Sequence, residues 1–252
     1  CEFVMKILAG KDEHDGTSID NDFGSKKEKY TIGICKQIID VFKTKLGYEK
    51  FADAIDKIKD AFDVVEVEVP HISNSLACYY ILAPAEATSN LARFDGVKYS
   101  KRSEKAKDLE SVYVESRSEN FGKEVKRRIM LGNFVLSSGY FDAYYNKAKK
   151  VQRLIRKEFK SAFEKCDSII LPTTSGTAFK IGEKLGDPVS MYMEDLFTVP
   201  ANIAGIPAVS VPYAKEENGL PLGMQFFADE KCENKMFDIA KQFQKTLGGE
   251  QR

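Results

Sequence analysis

Three short β-type runs, the first two separated by helix-patterned stretches, constrain this chain more than any other feature. They are Tyr30-Thr31-Ile32-Gly33-Ile34, Val64-Val65-Glu66-Val67-Glu68-Val69 and Ser168-Ile169-Ile170-Leu171. Between the first two, Lys36 to Leu46 reads as a helix. Glu49 to Phe62 follows as a second, with Phe51, Ile55, Ile58 and Phe62 along one side. Strand, helix and strand in succession predict a layered α/β fold, because each sheet face needs an amphipathic helix to cover it. Pro70 ends the second run and Pro172 the third, since proline has no N–H for a ladder.

Helices dominate the middle of the chain. Ser73 to Phe94 is one long candidate, with a kink or interruption expected at Pro84. Leu109 to Arg117, Lys123 to Leu136 and Tyr140 to Phe163 follow, punctuated by Gly132 and Gly139. After the third strand comes TTSGTAF (173–179), a loop at the strand end where open α/β sheets place their ligands. A helix from Val189 to Ala204, strands Ala208 to Val211 and Leu222 to Phe227, and a helix from Glu233 complete the pattern. Lys11 to Lys29 reads as a polar loop. No repeat or linker divides the chain, which reads as one domain or part of one. Its opening, CEFVMKILAG, sets Phe3, Val4, Ile7 and Leu8 on one helical face with no capping residue before it. That start, at Cys1 rather than Met, is expected of a piece of a longer protein, with processing as the other source.

Composition narrows the function classes. The 252 residues carry 38 basic and 38 acidic side chains, a balance that argues against a broad phosphate-binding surface. No apolar run approaches the ~20 residues of a membrane-spanning helix. Cys1, Cys35, Cys78, Cys166 and Cys232 are odd in number and scattered, which indicates neither a disulfide framework nor a zinc site and fits a reducing cytoplasm or organelle matrix.

Signatures for dinucleotide, phosphate-loop, zinc-protease and serine-hydrolase sites are absent. His14 and His71 are the only histidines, and neither sits in a setting that suits a catalytic base. Cys78 and Cys166 read as buried, inert thiols. On a helical wheel of KEVKRRIML, Arg127 points away from the stripe through Val125, Ile129 and Gly132, whereas Arg128 lies beside it. Arg128 therefore needs a carboxylate partner or a bound anion. In DPVSMYMEDLFTVP, Asp195 falls within the arc of Met191, Tyr192, Leu196 and Val199, while Glu194 falls outside. A carboxylate there needs a cation or several donors. An Arg and an Asp facing one interior could grip a zwitterion by its two ends. Tyr79 and Tyr80 could line such a pocket or simply pack in the core.

The segments YYILAPAEATSNLARFDGV (79–97), SRSENFGKEVKRRIMLGNFVLSSGYFDAYYNKA (116–148) and DPVSMYMEDLFTVPANIAGIPAVSVP (187–212) carry a resemblance that spans the chain. They resemble the amidase signature family, and within it the glutamine-hydrolysing subunits of tRNA-dependent amidotransferases. LAGKDEHDGTSID and GLPLGMQFF match as well. The resemblance implies a layered α/β/α fold with a mixed sheet, incomplete in this chain. It implies an amidase releasing ammonia from glutamine through a Ser–Ser–Lys arrangement with a backbone oxyanion hole. That signature lies upstream of the matched segments and has no counterpart here, so no catalytic residue is expected between residues 1 and 252. Ser137-Ser138-Gly139 belongs to a different motif. Tyr79, Arg128 and Asp195 match glutamine-recognition positions, Arg128 for the α-carboxylate and Asp195 for the α-ammonium. Implied partners are the B and C subunits of a heterotrimer, with tRNA held mainly by the subunit that uses ATP and magnesium to convert Glu-tRNA(Gln) to Gln-tRNA(Gln). No metal site and no cofactor are expected in this chain. The competing readings are an amidase acting on another amide, and a split or degenerate subunit serving as an interaction module.

Overall fold

A computed structural model of the chain describes residues 1–19, 27–45, 47–183 and 188–248. Leu46 and part of the polar loop expected over 11–29 lie outside the described residues. Two compact units are present, one formed by residues 1–76 with 153–252 and the other by residues 77–152.

The first unit is built on one sheet. Its strands are β1 (Thr31–Cys35), β2 (Asp63–Val67), β3 (Ser168–Pro172), β4 (Ala208–Lys215) and β5 (Pro221–Phe227), in the order β2-β1-β3-β5-β4. β1 runs parallel to β2 and β3, whereas β5 runs antiparallel to β3 and β4, so the sheet is mixed. Every residue of the central β3 is buried. Burial on both faces is why its sequence is continuously apolar after Ser168 instead of alternating. Successive residues of a strand face opposite sides, and β5 shows what covers each. Phe226 meets Phe243 of α10 (Glu233–Thr246) at 5.0 Å, while Phe227 meets Phe159 of α7 (Lys147–Phe163) at 5.9 Å. The layered α/β/α architecture follows directly. Short helices α2 (Lys36–Phe42) and α3 (Tyr48–Ile58) connect β1 to β2. Phe42 packs edge-on against Phe51 and Phe197 at 5.5 and 5.6 Å. Each such ring, taken fully out of water, contributes about 2 kcal/mol.

Two expectations change here. α1 (Glu2–Leu8) forms as its periodicity predicts, yet Phe3, Val4, Ile7 and Leu8 are all exposed, and the helix is tied to α10 through Glu2 and Lys241, with Glu2 also pairing with Lys6 inside α1. The single helix expected over Val189 to Ala204 is two, α8 (Pro188–Met193) and α9 (Val199–Ala204), with a turn between them. Pro200 is the cause. In a continuous helix its ring would collide with the carbonyl of Leu196, whereas in the first turn of a new helix its missing N–H is harmless.

The second unit is helical. α4 (Ser75–Leu91) enters it at Ala77 and runs on through Pro84. One proline removes a single intrahelical bond, and a neighbour packs tightly on that turn. The neighbour is α6 (Lys123–Leu136), where a Cβ on Gly132 would lie 2.1 Å from the Pro84 carbonyl oxygen and 2.1 Å from Thr88 Oγ1. Thr88 Oγ1 also donates to the Ile129 carbonyl at 2.8 Å. α5 (Leu109–Asn120) starts at a capping box in which Asp108 and Ser111 satisfy each other's backbone N–H. Its Arg117 donates to the Leu91 and Phe94 carbonyls, closing the end of α4. Between α6 and α7 the chain makes a π-helical turn, Phe141–Asn146, in place of the α-helix expected from Tyr140. That turn brings Tyr140 and Tyr144 against Phe134 at 4.2 and 5.9 Å.

Candidate substrate-recognition site

The close crossing of α4 and α6 at Gly132 and Pro84 places Tyr80 and Arg128 one turn before it on their respective helices. Tyr79 and Tyr80 meet edge-on at 5.2 Å. Arg128 lies close enough to both rings for their hydroxyls to act on its charge. Partial burial works against the Arg128 guanidinium, but the hydrogen bond and charge of Glu124 and the two tyrosines together hold its pKa above the ordinary value. Tyr79 and Arg128 thus belong to the same unit, residues 77–152. Asp195 belongs to the other unit.

Glu124 is a partner that the helical wheel does not reveal. Its Oε1 accepts from Arg128 Nε at 3.2 Å and its Oε2 pairs with Arg127 Nη1 at 2.9 Å. The i, i+4 and i, i+3 spacings are the available signal. Arg128 side-chain exposure is 38% against 46% for Arg127, so the wheel orders them correctly but overstates the contrast. Arg128 uses only Nε, and its Nη1–Nη2 edge holds no protein hydrogen bond among the described residues. A planar two-donor edge is the geometry that takes a carboxylate bidentately.

Asp195 does not sit on a helical arc. It lies half-buried in the turn between α8 and α9, as does Glu194, because the helix on which the wheel was drawn stops at Met193. Its carbonyl accepts from Thr198 N at 3.2 Å and Val199 N at 3.0 Å, so the start of α9 fixes its backbone. Phe197, two residues on, is fully buried, and its carbonyl receives Gln225 Nε2 at 2.6 Å. Gln225 is not among the residues that pattern singles out, although a lone carboxamide between Met224 and Phe226 of an apolar strand is itself a signal. The loop after β3 begins beside it. Thr173 N donates to the Gly223 carbonyl at 2.8 Å, and Thr173 Oγ1 and Ser210 Oγ lie 2.6 Å apart. Both hydroxyls crowd the space that a Cβ on Gly223 would need.

The remaining candidates have structural explanations. The His71 backbone N and Nδ1 both meet Glu158, at 2.9 and 2.5 Å, and His14 lies exposed in a loop held by Asp12. Neither ring hydrogen-bonds to a serine or cysteine among the described residues. Burial pushes the Cys78 thiol up to about 11 and the Cys166 thiol up to about 12, as expected of inert thiols. Ser137 closes α6 by donating to the Phe134 carbonyl. Among the described residues no group of His, Cys, Asp or Glu could hold a metal ion, and no helix is long and apolar enough to cross a membrane.

The chain and its fold have known relatives. The chain is 45% identical over 256 residues to the A subunit of glutamyl-tRNA(Gln) amidotransferase from Pelagibacter ubique, covering 95% of this chain and 51% of that protein. The corresponding protein of Caldanaerobacter subterraneus is 43% identical, with coverages of 98% and 52%. The chain therefore spans about half the length of the curated relatives it matches. Among solved structures, the A subunit of the amidotransferase from Thermotoga maritima superposes with a TM-score of 0.69 at 35% identity, covering 96% of this chain and 49% of that one. An allophanate hydrolase of Kluyveromyces lactis shares the fold with a TM-score of 0.73 at 19% identity, covering 99% and 38%. The family model described as Amidase matches residues 1–237, and the chain belongs to the amidase family.

Proposed function

We propose that this chain is the substrate-recognising, C-terminal portion of a glutamine-hydrolysing amidase domain that serves a tRNA-dependent amidotransferase. The observation that carries the proposal is the Nη1–Nη2 edge of Arg128 on α6, one turn before the crossing with α4. Arg128 takes the α-carboxylate of glutamine, Asp195 takes its α-ammonium, and Tyr79 contributes a ring wall. Requiring both ends of a zwitterion favours a free amino acid over an apolar amide. The Ser–Ser–Lys set that attacks the side-chain amide, releases ammonia and forms the acyl-enzyme belongs to a portion of the domain upstream of these residues. The B and C subunits complete the assembly. One of them uses ATP and magnesium to activate Glu-tRNA(Gln) for the ammonia, and the same subunit holds most of the tRNA.

Glutaminase kinetics test this reading. In the full-length protein assembled with its partners, Arg128→Ala and Asp195→Ala each raise KM for glutamine by about 10- to 100-fold, as expected for loss of a charge-assisted contact. Residues 1–252 alone release no ammonia from glutamine. Unchanged KM in both folded variants defeats the recognition roles, and ammonia release by the isolated chain defeats the placement of the nucleophile upstream.

A further inference from the structure

We propose that Gln225 is the positioning residue of the Asp195 turn, an inference that rests on the reading of Asp195 as the ammonium ligand. Gln225 occupies the middle of β5 and is 3% exposed, with fully buried Met224 and Phe226 on either side. A carboxamide nitrogen has two hydrogens, and both are engaged. One goes to the Pro172 carbonyl at 2.9 Å, the other to the Phe197 carbonyl at 2.6 Å. Because both partners are acceptors, the orientation of the amide is fixed by chemistry.

These two carbonyls belong to separate segments. Pro172 is the last residue of β3, immediately before the 173–179 loop, and Phe197 lies in the α8–α9 turn. The Phe197 ring is held by Phe42 at 5.6 Å, and the Asp195 carbonyl is held by the first amides of α9. The turn is thus pinned at Asp195 from one side and at Phe197 from the other, and Gln225 supplies the second pin from the sheet. A carboxylate aimed at an ammonium needs its backbone fixed to about 0.5 Å, and a two-residue reach from a pinned carbonyl meets that need. Glutamate in place of Gln225 would face two carbonyl oxygens with no donor, and methionine would keep the packing while leaving both carbonyls unpaired. Gln225 touches no substrate and acts through Asp195.

The test combines kinetics with hydrogen exchange. In the full-length assembled enzyme, Gln225→Met raises KM for glutamine about tenfold with little change in kcat, because a misplaced binding group weakens ground and transition states alike. In an Asp195→Ala background the same substitution adds nothing further. A fully additive increase, or a fall in kcat without a rise in KM, overturns the positioning role. In the 252-residue chain, Gln225→Met speeds exchange of the Thr198 and Val199 amides, and unchanged exchange overturns the pin itself. If Asp195→Ala alone leaves KM unchanged, the ammonium reading fails, and the exchange result still decides whether Gln225 holds the turn. Should Gln225→Met not fold, Gln225→Asn carries the same measurements, since it keeps the amide one methylene short of both carbonyls.

Discussion

Replacing Gly132 by alanine offers a test in which two simple arguments give opposite signs. Glycine inside a helix ordinarily costs about 0.5–1 kcal/mol relative to alanine. On propensity alone Gly132→Ala should therefore stabilise the protein. The crossing predicts the reverse. The new Cβ would lie 2.1 Å from the Pro84 carbonyl oxygen and from Thr88 Oγ1, and 2.8 Å from the Pro84 carbonyl carbon, where ordinary contacts begin at 3.4 Å. Two of these atoms are backbone and cannot rotate aside, so α6 has to withdraw by about 1 Å. Withdrawal also stretches the Thr88 Oγ1 to Ile129 bond, now 2.8 Å. Overpacking of about 1–3 kcal/mol and a lost hydrogen bond of about 1 kcal/mol, less the propensity gain of about 0.5–1 kcal/mol, give a net destabilisation of about 2 kcal/mol. Urea unfolding of the chain, with hydrogen exchange reporting on α4 and α6, measures this directly. Gly139→Ala is the control, because a Cβ there meets nothing within 4 Å. In the full-length enzyme the shift also moves Arg128 relative to Tyr79, and KM for glutamine rises. A Gly132→Ala protein as stable as its parent would refute the close-crossing argument.

Other expectations concern acid stability and thiol chemistry. The Asp167 carboxylate accepts from Lys27 Nζ at 2.7 Å and Thr31 N at 3.0 Å, with Lys235 nearby at 3.4 Å. Burial opposes its ionisation, but those hydrogen bonds and charges outweigh it and hold the pKa below the ordinary 3.8. A depressed folded pKa stabilises fully above the unfolded value and is lost as pH falls through the folded one. Asp167→Asn should therefore lower stability at pH 7 by about 2 kcal/mol and flatten the loss below about pH 4. An unchanged acid limb in urea unfolding counts against that role. Among the cysteines, exposed Cys1 should react with a disulfide reagent at pH 8 within minutes. Cys35, Cys78 and Cys166, buried with raised pKa values, should react only on unfolding. Rapid native labelling at Cys78 or Cys166 would show that the interior opens.

Local pattern was legible wherever one helix or strand answers to its own neighbours. α6 occupies Lys123–Leu136, the range its periodicity predicts, and β3 ends at the proline that the sequence marks as its stop. The preference for Arg128 over Arg127 also emerged from a wheel, because α6 is a regular helix along its whole length. The same device misplaced Asp195. A wheel assumes continuity, and the chain leaves the helix before Pro200, so Asp195 lies in a turn whose backbone the start of α9 holds.

Short-range periodicity and motif were enough for the α/β class, most element boundaries, the inert thiols and the family resemblance. Tertiary packing alone settles that α4 continues through Pro84 and that Gln225 pins two separated carbonyls. Each of those depends on the satisfaction of a specific polar atom or on the room left by a missing Cβ. Such constraints arise between groups whose meeting the fold decides, and hydrophobic periodicity carries no record of them.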